Sequence, residues 1–152
     1  MDFNFTGETP SETMTGKYGF QSGITTITSN TTYQNIAPLN SNNFTNQVGW
    51  NNTQKKFVGQ SDNVGYRIDY YIQFVCLATS TLNYRIIRKD SGGNIIQTYF
   101  SGSIAQTVGQ GVSWNNTLYA TINTNETIEF QFKSSVNNSY SLFQNAAIFF
   151  FF

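Results

Sequence analysis

The stretch Tyr66-Arg67-Ile68-Asp69-Tyr70-Tyr71-Ile72-Gln73-Phe74-Val75-Cys76 decides the fold class. Its even positions carry Tyr, Ile, Tyr, Ile, Phe and Cys, and its odd positions carry Arg, Asp, Tyr, Gln and Val. Successive side chains of a strand point to opposite faces, so this alternation builds one face for a core and one for a wetter surrounding. A slip of one residue would bury Arg67 and Asp69, which specifies the register strongly.

Downstream, residues 82–87 and 94–100 read as two further strands. Asp90-Ser91-Gly92-Gly93 between them supplies the positive φ of a hairpin turn. Residues 113–120 form another strand. After the Asn123-Thr124-Asn125 turn, Thr127-Ile128-Glu129-Phe130-Gln131-Phe132-Lys133 alternates cleanly again. The last strand is expected over residues 140–152. Upstream, residues 40–46 and 49–54 are Asn-rich and read as loops, and the Thr-rich stretch 19–28 reads as the first strand. Residues 1–19 hold Gly7, Pro10, Gly16 and Gly19 among Ser, Thr and Glu, and are expected to form an extended polar arm. No segment repeats apolar residues at helical spacing. Short strands at regular intervals with Gly and Asn turns predict an all-β sandwich or barrel. The organisation expected is an N-terminal arm, 1–19, and one β domain, 20–152.

Composition narrows the chemistry. The chain has 152 residues with eight Lys plus Arg, eight Asp plus Glu, no histidine and one cysteine. Zero net charge offers no electrostatic footprint for nucleic acid, and the missing basic arm argues against genome packaging. Without His, the many Ser and Thr lack the usual activating base, and the commonest metal ligand is missing. Cys76 lies on the inward face of the best strand and reads as a small buried hydrophobe. Asp69 and Glu129 fall on outward faces, where single charges keep a surface wet, and Asp62 and Asp90 fall in turns. No calcium loop of ligand spacing surrounds them. Neither catalysis nor a cofactor or metal is expected. Arg85, Arg88 and Lys89 are the densest positive patch, read as a solvated hairpin end, with an acidic partner or anionic glycan as the other reading. Seven Asn-x-Ser/Thr sequons, among them Asn30, Asn51, Asn115 and Asn125, read as background in an Asn-, Ser- and Thr-rich chain. No signal peptide and no apolar run long enough for a membrane helix are recognised.

The tail Phe149-Phe150-Phe151-Phe152 is the sharpest oddity. Four consecutive Phe on a strand demand cover on both faces, at roughly 1.5–3 kcal/mol for each ring buried. A lone sandwich covers one face of each sheet. Tyr71, aromatic at an outward position, points the same way. Tyr71, Phe149, Phe150, Phe151 and Phe152 are therefore the candidate oligomer interface. The other reading of the tail, the closing strand of an outer-membrane barrel, lacks a repeated lipid-facing band in the remaining strands.

Three places carry a family resemblance: Phe57 through Tyr66-Arg67-Ile68, Leu118 through Phe132 with Asn125-Glu126 inside it, and Ser141-Leu142-Phe143-Gln144-Asn145-Ala146-Ala147-Ile148. On these the chain resembles the tumour necrosis factor-like family, which includes the globular head of the complement recognition protein. Gly65 and Tyr66 are adjacent where the family usually has one residue between them. The resemblance spans residues 20–152 and implies an antiparallel jelly-roll sandwich of about eight to ten strands. It also implies a tight homotrimer whose axis is lined by aromatics of the middle and last strands.

The function expected is a virion structural protein: a trimeric spike, head fibre or capsid decoration protein. It would sit on the virion surface, joined to other capsid proteins through the arm and meeting a host receptor or glycan through distal loops. The candidate loops are 40–46, 49–54 and 109–116, where Trp50, Trp114 and Asn115 could contact sugar. Core filling is the ordinary reading of both Trp. The alternative is a soluble carbohydrate-binding or ligand-recognition module. No nucleic acid and no membrane span are expected as partners.

Overall fold

The computed structural model describes residues 14–19, 26–27, 31–35, 40–43, 48–51, 56–137, 140–142 and 147–151. Every regular element among them is a strand: β1 (Met14–Gly19), β2 (Thr26–Ile27), β3 (Gln34–Asn35), β4 (Asn40–Asn43), β5 (Val48–Asn51), β6 (Lys56–Gly59), β7 (Val64–Cys76), β8 (Ser80–Lys89), β9 (Ile95–Gln106), β10 (Gly111–Ile122), β11 (Thr127–Ser134), β12 (Tyr140–Leu142) and β13 (Ala147–Phe151). Among the described residues no helix is long and apolar enough to cross a membrane.

The strands form two antiparallel sheets, and β7 organises the first. One edge of β7 pairs along its full length with β10, from Gly111 opposite Val75 to Ile122 opposite Val64. Its other edge carries β12 and β13 end to end, with Tyr140 opposite Cys76 and Phe151 opposite Arg67. Next come β2 beside β12, and β1 between β13 and β4. In the second sheet the order is β9, β8 and β11, with β6 and β3 along the far edge of β11 and β5 outermost. The chain changes sheet after β2, β3, β4, β6, β7, β9, β10 and β11, and stays within one sheet between β1 and β2, at the β5–β6 and β8–β9 hairpins, and between β12 and β13. This is a jelly roll.

The alternation of β7 places Tyr66, Ile68, Tyr70, Ile72, Phe74 and Cys76 in the core, as expected. Facing them from the second sheet are Leu82, Ile86, Ile128, Phe130 and Phe132. Phe130 meets Tyr70 edge-on at 5.5 Å and Phe57 at 6.0 Å between ring centroids. Such aromatic contacts add about 0.5–1.5 kcal/mol beyond the area they bury. The β8–β9 turn forms where Asp90-Ser91-Gly92-Gly93 predicts it. Gly93 has φ +88°, and the Asp90 Oδ1 carboxylate oxygen accepts the Gly92 and Asn94 amides at 2.9 Å each.

Several expectations are corrected. The last six residues of the expected arm, Met14–Gly19, run as β1 in the first sheet; residues 1–13 lie outside the described residues. Within the stretch expected as first strand, 19–28, the described strand is the short β2. The expected loops 40–46 and 49–54 contain β4 and β5, whose backbones find partners in β1 and β6. Residues 111–116 of the third loop belong to β10. The single C-terminal strand is two, β12 and β13.

Candidate functional surface

Three outward positions of the first sheet line up across β10, β7 and β13. Tyr119 lies opposite Arg67, which lies opposite Phe151 on its other side. The Arg67 guanidinium carbon sits 4.2 Å from the Phe151 ring centroid, a cation–π contact, and Arg67 Nε is 3.4 Å from the Asp69 carboxylate. Asp69 also accepts the Thr117 hydroxyl at 2.8 Å. Tyr119 is 72% exposed, which makes it the most exposed large apolar side chain described. With Arg67 and Phe151 it borders a recess of about 310 Å3 floored by Gly65 and Thr121.

Tyr71 is half-buried on this same face, with Asn115 exposed opposite it on β10 and Ala147 opposite on β13. Of the Phe tail, Phe151 is half-buried here. Phe149 and Phe150 hold β13 against Asp69 and Ile68, with their side chains outside the described ones, and Phe152 lies outside the described residues. Trp50 sits on β5 opposite Phe57, and its side chain is likewise outside those described.

Trp114 lies in the core. It is 8% exposed and packs between Tyr84 at 4.7 Å, Tyr70 at 5.0 Å and Phe100 at 5.4 Å. Its parity on β10 is that of Leu118, Ala120 and Ile122, which face the core, and its position is that of the core-filling reading of this Trp.

The basic cluster is not a solvated hairpin end. β8 is interior to its sheet, and each cation is engaged. Arg85 donates to Gln131 at 2.7 Å and stacks on Tyr33 at 3.9 Å. Arg88 pairs with Glu126 at 3.1 Å and donates to the Thr121 carbonyl at 2.7 Å, while Lys89 pairs with Glu129 at 3.2 Å. Glu129 also departs from expectation. It lies on the outward face, as its parity requires, yet is only 3% exposed. Burial pushes its carboxyl up, but Lys89, Thr127 and Asn35 together hold it below the ordinary glutamate value. Cys76 is buried, its thiol donating to the Ala78 carbonyl at 3.1 Å. Asp62 and Asp90 are spent on backbone amides of Thr124, Gly92 and Asn94.

One surface feature escaped the strand-by-strand reading, although its signal is in the sequence. From Ser91 through Asn125 there is no Asp, Glu, Lys or Arg. That run makes β9 and β10, the outermost strands of the two sheets on one flank of the sandwich. Ile95, Ile96, Ile104, Val108 and Tyr119 are all exposed along it. Counting charges along the chain, rather than within each strand, would have exposed this wall.

No family model and no curated protein sequence matches the chain. Solved structures do. The Eiger TNF of S. frugiperda superposes with a TM-score of 0.66 at 10% identity, covering 92% of this chain and 91% of that one. The globular domain of zebrafish complement 1qA protein superposes with a TM-score of 0.60 at 7% identity, covering 90% of this chain and 94% of that one. The chain therefore has the jelly-roll fold of tumour necrosis factor-like and complement globular domains.

Proposed function

We propose that the chain acts as a homotrimeric jelly-roll module, and that within this class it is a virion structural protein: a spike, head fibre or capsid decoration protein. The observation that carries the assembly is the charge-free flank from Ser91 through Asn125. Long edge strands invite indiscriminate pairing, and proteins ordinarily blunt them with charge. Here both edges lack it and display aliphatic and aromatic side chains instead. A flank of this kind laid on the aromatic outer face of a neighbour's first sheet is a heterologous contact, and such a contact closes into a ring of three when the rotation relating neighbours is a third of a turn. Tyr71, Tyr119 and Phe151 then lie within the interface. The low charge fraction, 11%, and the absence of histidine support a structural rather than catalytic role.

Light scattering on the purified chain tests the assembly. A mass three times 17.1 kDa that survives dilution is expected, and a monomer overturns it. The virion assignment is tested separately, by whether the chain co-purifies with assembled particles and whether deleting residues 1–13 abolishes that incorporation. A soluble recognition module would keep its binding without those residues.

A further inference from the structure

Where the β7–β8 loop meets the β9–β10 turn lies a second recess of about 310 Å3, away from the aromatic face. Its walls are tied together by backbone. The Gly109 amide donates to the Cys76 carbonyl at 2.9 Å, and the Cys76 amide donates to the Gln110 carbonyl at 2.8 Å. Gln110 Oε1 accepts the Thr107 amide at 2.8 Å, and Ser135 Oγ accepts the Thr81 amide at 2.8 Å. A ligand entering would not have to order these walls.

The lining is neutral and hydroxylic: Thr79, Ser80, Thr81, Gln106, Thr107 and Gln110 contribute hydroxyls and amides. Gln106 Nε2 donates to the Gly111 carbonyl at 3.1 Å, while its Oε1 is buried with no hydrogen-bond partner among the described residues. A buried acceptor left unmade is costly, and a rotation of the Gln106 side chain that turns Oε1 toward a ligand's donor in the recess relieves that cost. Leu77 and Val108, 47% and 64% exposed, stand in the two loops beside the recess.

We propose that this recess binds a neutral sugar. A pyranose offers hydroxyl donors to Gln106 Oε1, further hydroxyls to the threonines, and C–H edges to Leu77 and Val108. The lining has no cation to neutralise an anionic ligand and no carboxylate to hold a metal ion. A purely apolar ligand would leave Gln106 Oε1 orphaned. The volume lies at the lower end of small-molecule pockets, about 300 Å3, which suits one sugar unit. The site is built from one protomer's residues at the β9–β10 turn end of the charge-free flank, so it requires that a neighbouring copy leave this end of the flank open, and it does not rest on the virion assignment.

Titration of the 15N-labelled full chain with methyl α-mannopyranoside, methyl β-galactopyranoside and methyl N-acetyl-β-glucosaminide tests it, with sialic acid as the charged comparison. At least one neutral glycoside is expected to shift the amides of residues 79–81 and 105–110, saturating at roughly millimolar concentration. Thr79→Val and Gln106→Met should each weaken that binding at least tenfold. Thr79 is exposed, so its variant reports on the site whether or not Gln106→Met folds. Silence from all three glycosides, shifts centred elsewhere, or equal response to sialic acid would overturn the proposal. Light scattering on the same samples separates the readings: a silent trimer refutes the site alone, and a sugar-binding monomer refutes the assembly alone.

Discussion

Glu129 holds its charge at 3% exposure because Lys89 reaches it at 3.2 Å, Thr127 donates to it at 3.0 Å and Gln131 donates at 2.8 Å. Its folded pKa lies below the ordinary value of 4.5, so the unfolded chain takes up the proton first on acidification. Its stabilising contribution is full above pH 4.5 and is lost as the pH falls through the lower folded value. Asp62 and Asp90 are lowered in the same direction from 3.8 by their backbone amide partners. Urea midpoints measured on stepping down in pH should therefore begin to drop near 4.5 in the parent. In Glu129→Gln they should hold until the aspartates titrate, and an unchanged profile would refute this account. The opposite sign operates at high pH. Burial raises the Tyr66 and Tyr70 phenols from 10.0 to about 12, so their contribution is intact below 10 and disappears as pH rises through 12. Tyrosinate absorbance should show Tyr66 and Tyr70 ionising well above the ordinary phenol value, with loss of β-sheet circular dichroism. The parity of Glu129 was legible in the Thr127–Lys133 alternation. Its burial was not, because part of the cover comes from Asn35, nearly a hundred positions earlier in a stretch with no pattern of its own.

At the scale of elements, legibility follows the number of faces a strand buries. β7 and β11 alternate against a core, and the sequence displays them. β4 and β5 are Asn-rich and rely on backbone pairing to β1 and β6, which leaves no periodic mark. β9 was expected to stop at residue 100 but continues to Gln106, since a flank strand tolerates Ser, Gly and Ala where a central one would not. The β8–β9 hairpin was legible because turn chemistry is local. Gly93 at φ +88° occupies backbone space that a Cβ penalises, so Gly93→Ala should cost about 1 kcal/mol. Thermal denaturation checks this: an unchanged midpoint would mean that the turn is not as strained for an L residue as its dihedral implies. Glycine is required for a different reason in β6. A side chain at Gly59 would run into the Asn123 carbonyl and would stand 2.7 Å from Ile122 Cγ2.

For the whole molecule, the two sheets bury one face each and leave an aromatic outer face and a charge-free flank. If these meet between copies, a charge placed in either should dissociate the assembly without unfolding the protomer. Tyr119→Lys and Ile104→Lys are each expected to reduce the light-scattering mass toward 17.1 kDa while β-sheet circular dichroism is retained. A trimer that persists in both variants would move the interface elsewhere. Why the outer face could be anticipated and the flank could not is a matter of where the signal lies. The Phe tail and Tyr71 are conspicuous as single residues, whereas the flank is defined by what every residue across two strands and two turns lacks.

That absence also governs how the protein meets proteases. Trypsin cuts after Lys and Arg, and after Lys89 the next such residue is Lys133. Both flank strands and a third of the buried apolar residues described therefore travel in one fragment, from Asp90 to Lys133. Trypsin-like enzymes have no cleavage site along this flank, even when it breathes open. Mapping its exposure by limited digestion will need chymotrypsin, for which Tyr99, Phe100, Trp114 and Tyr119 supply the cuts.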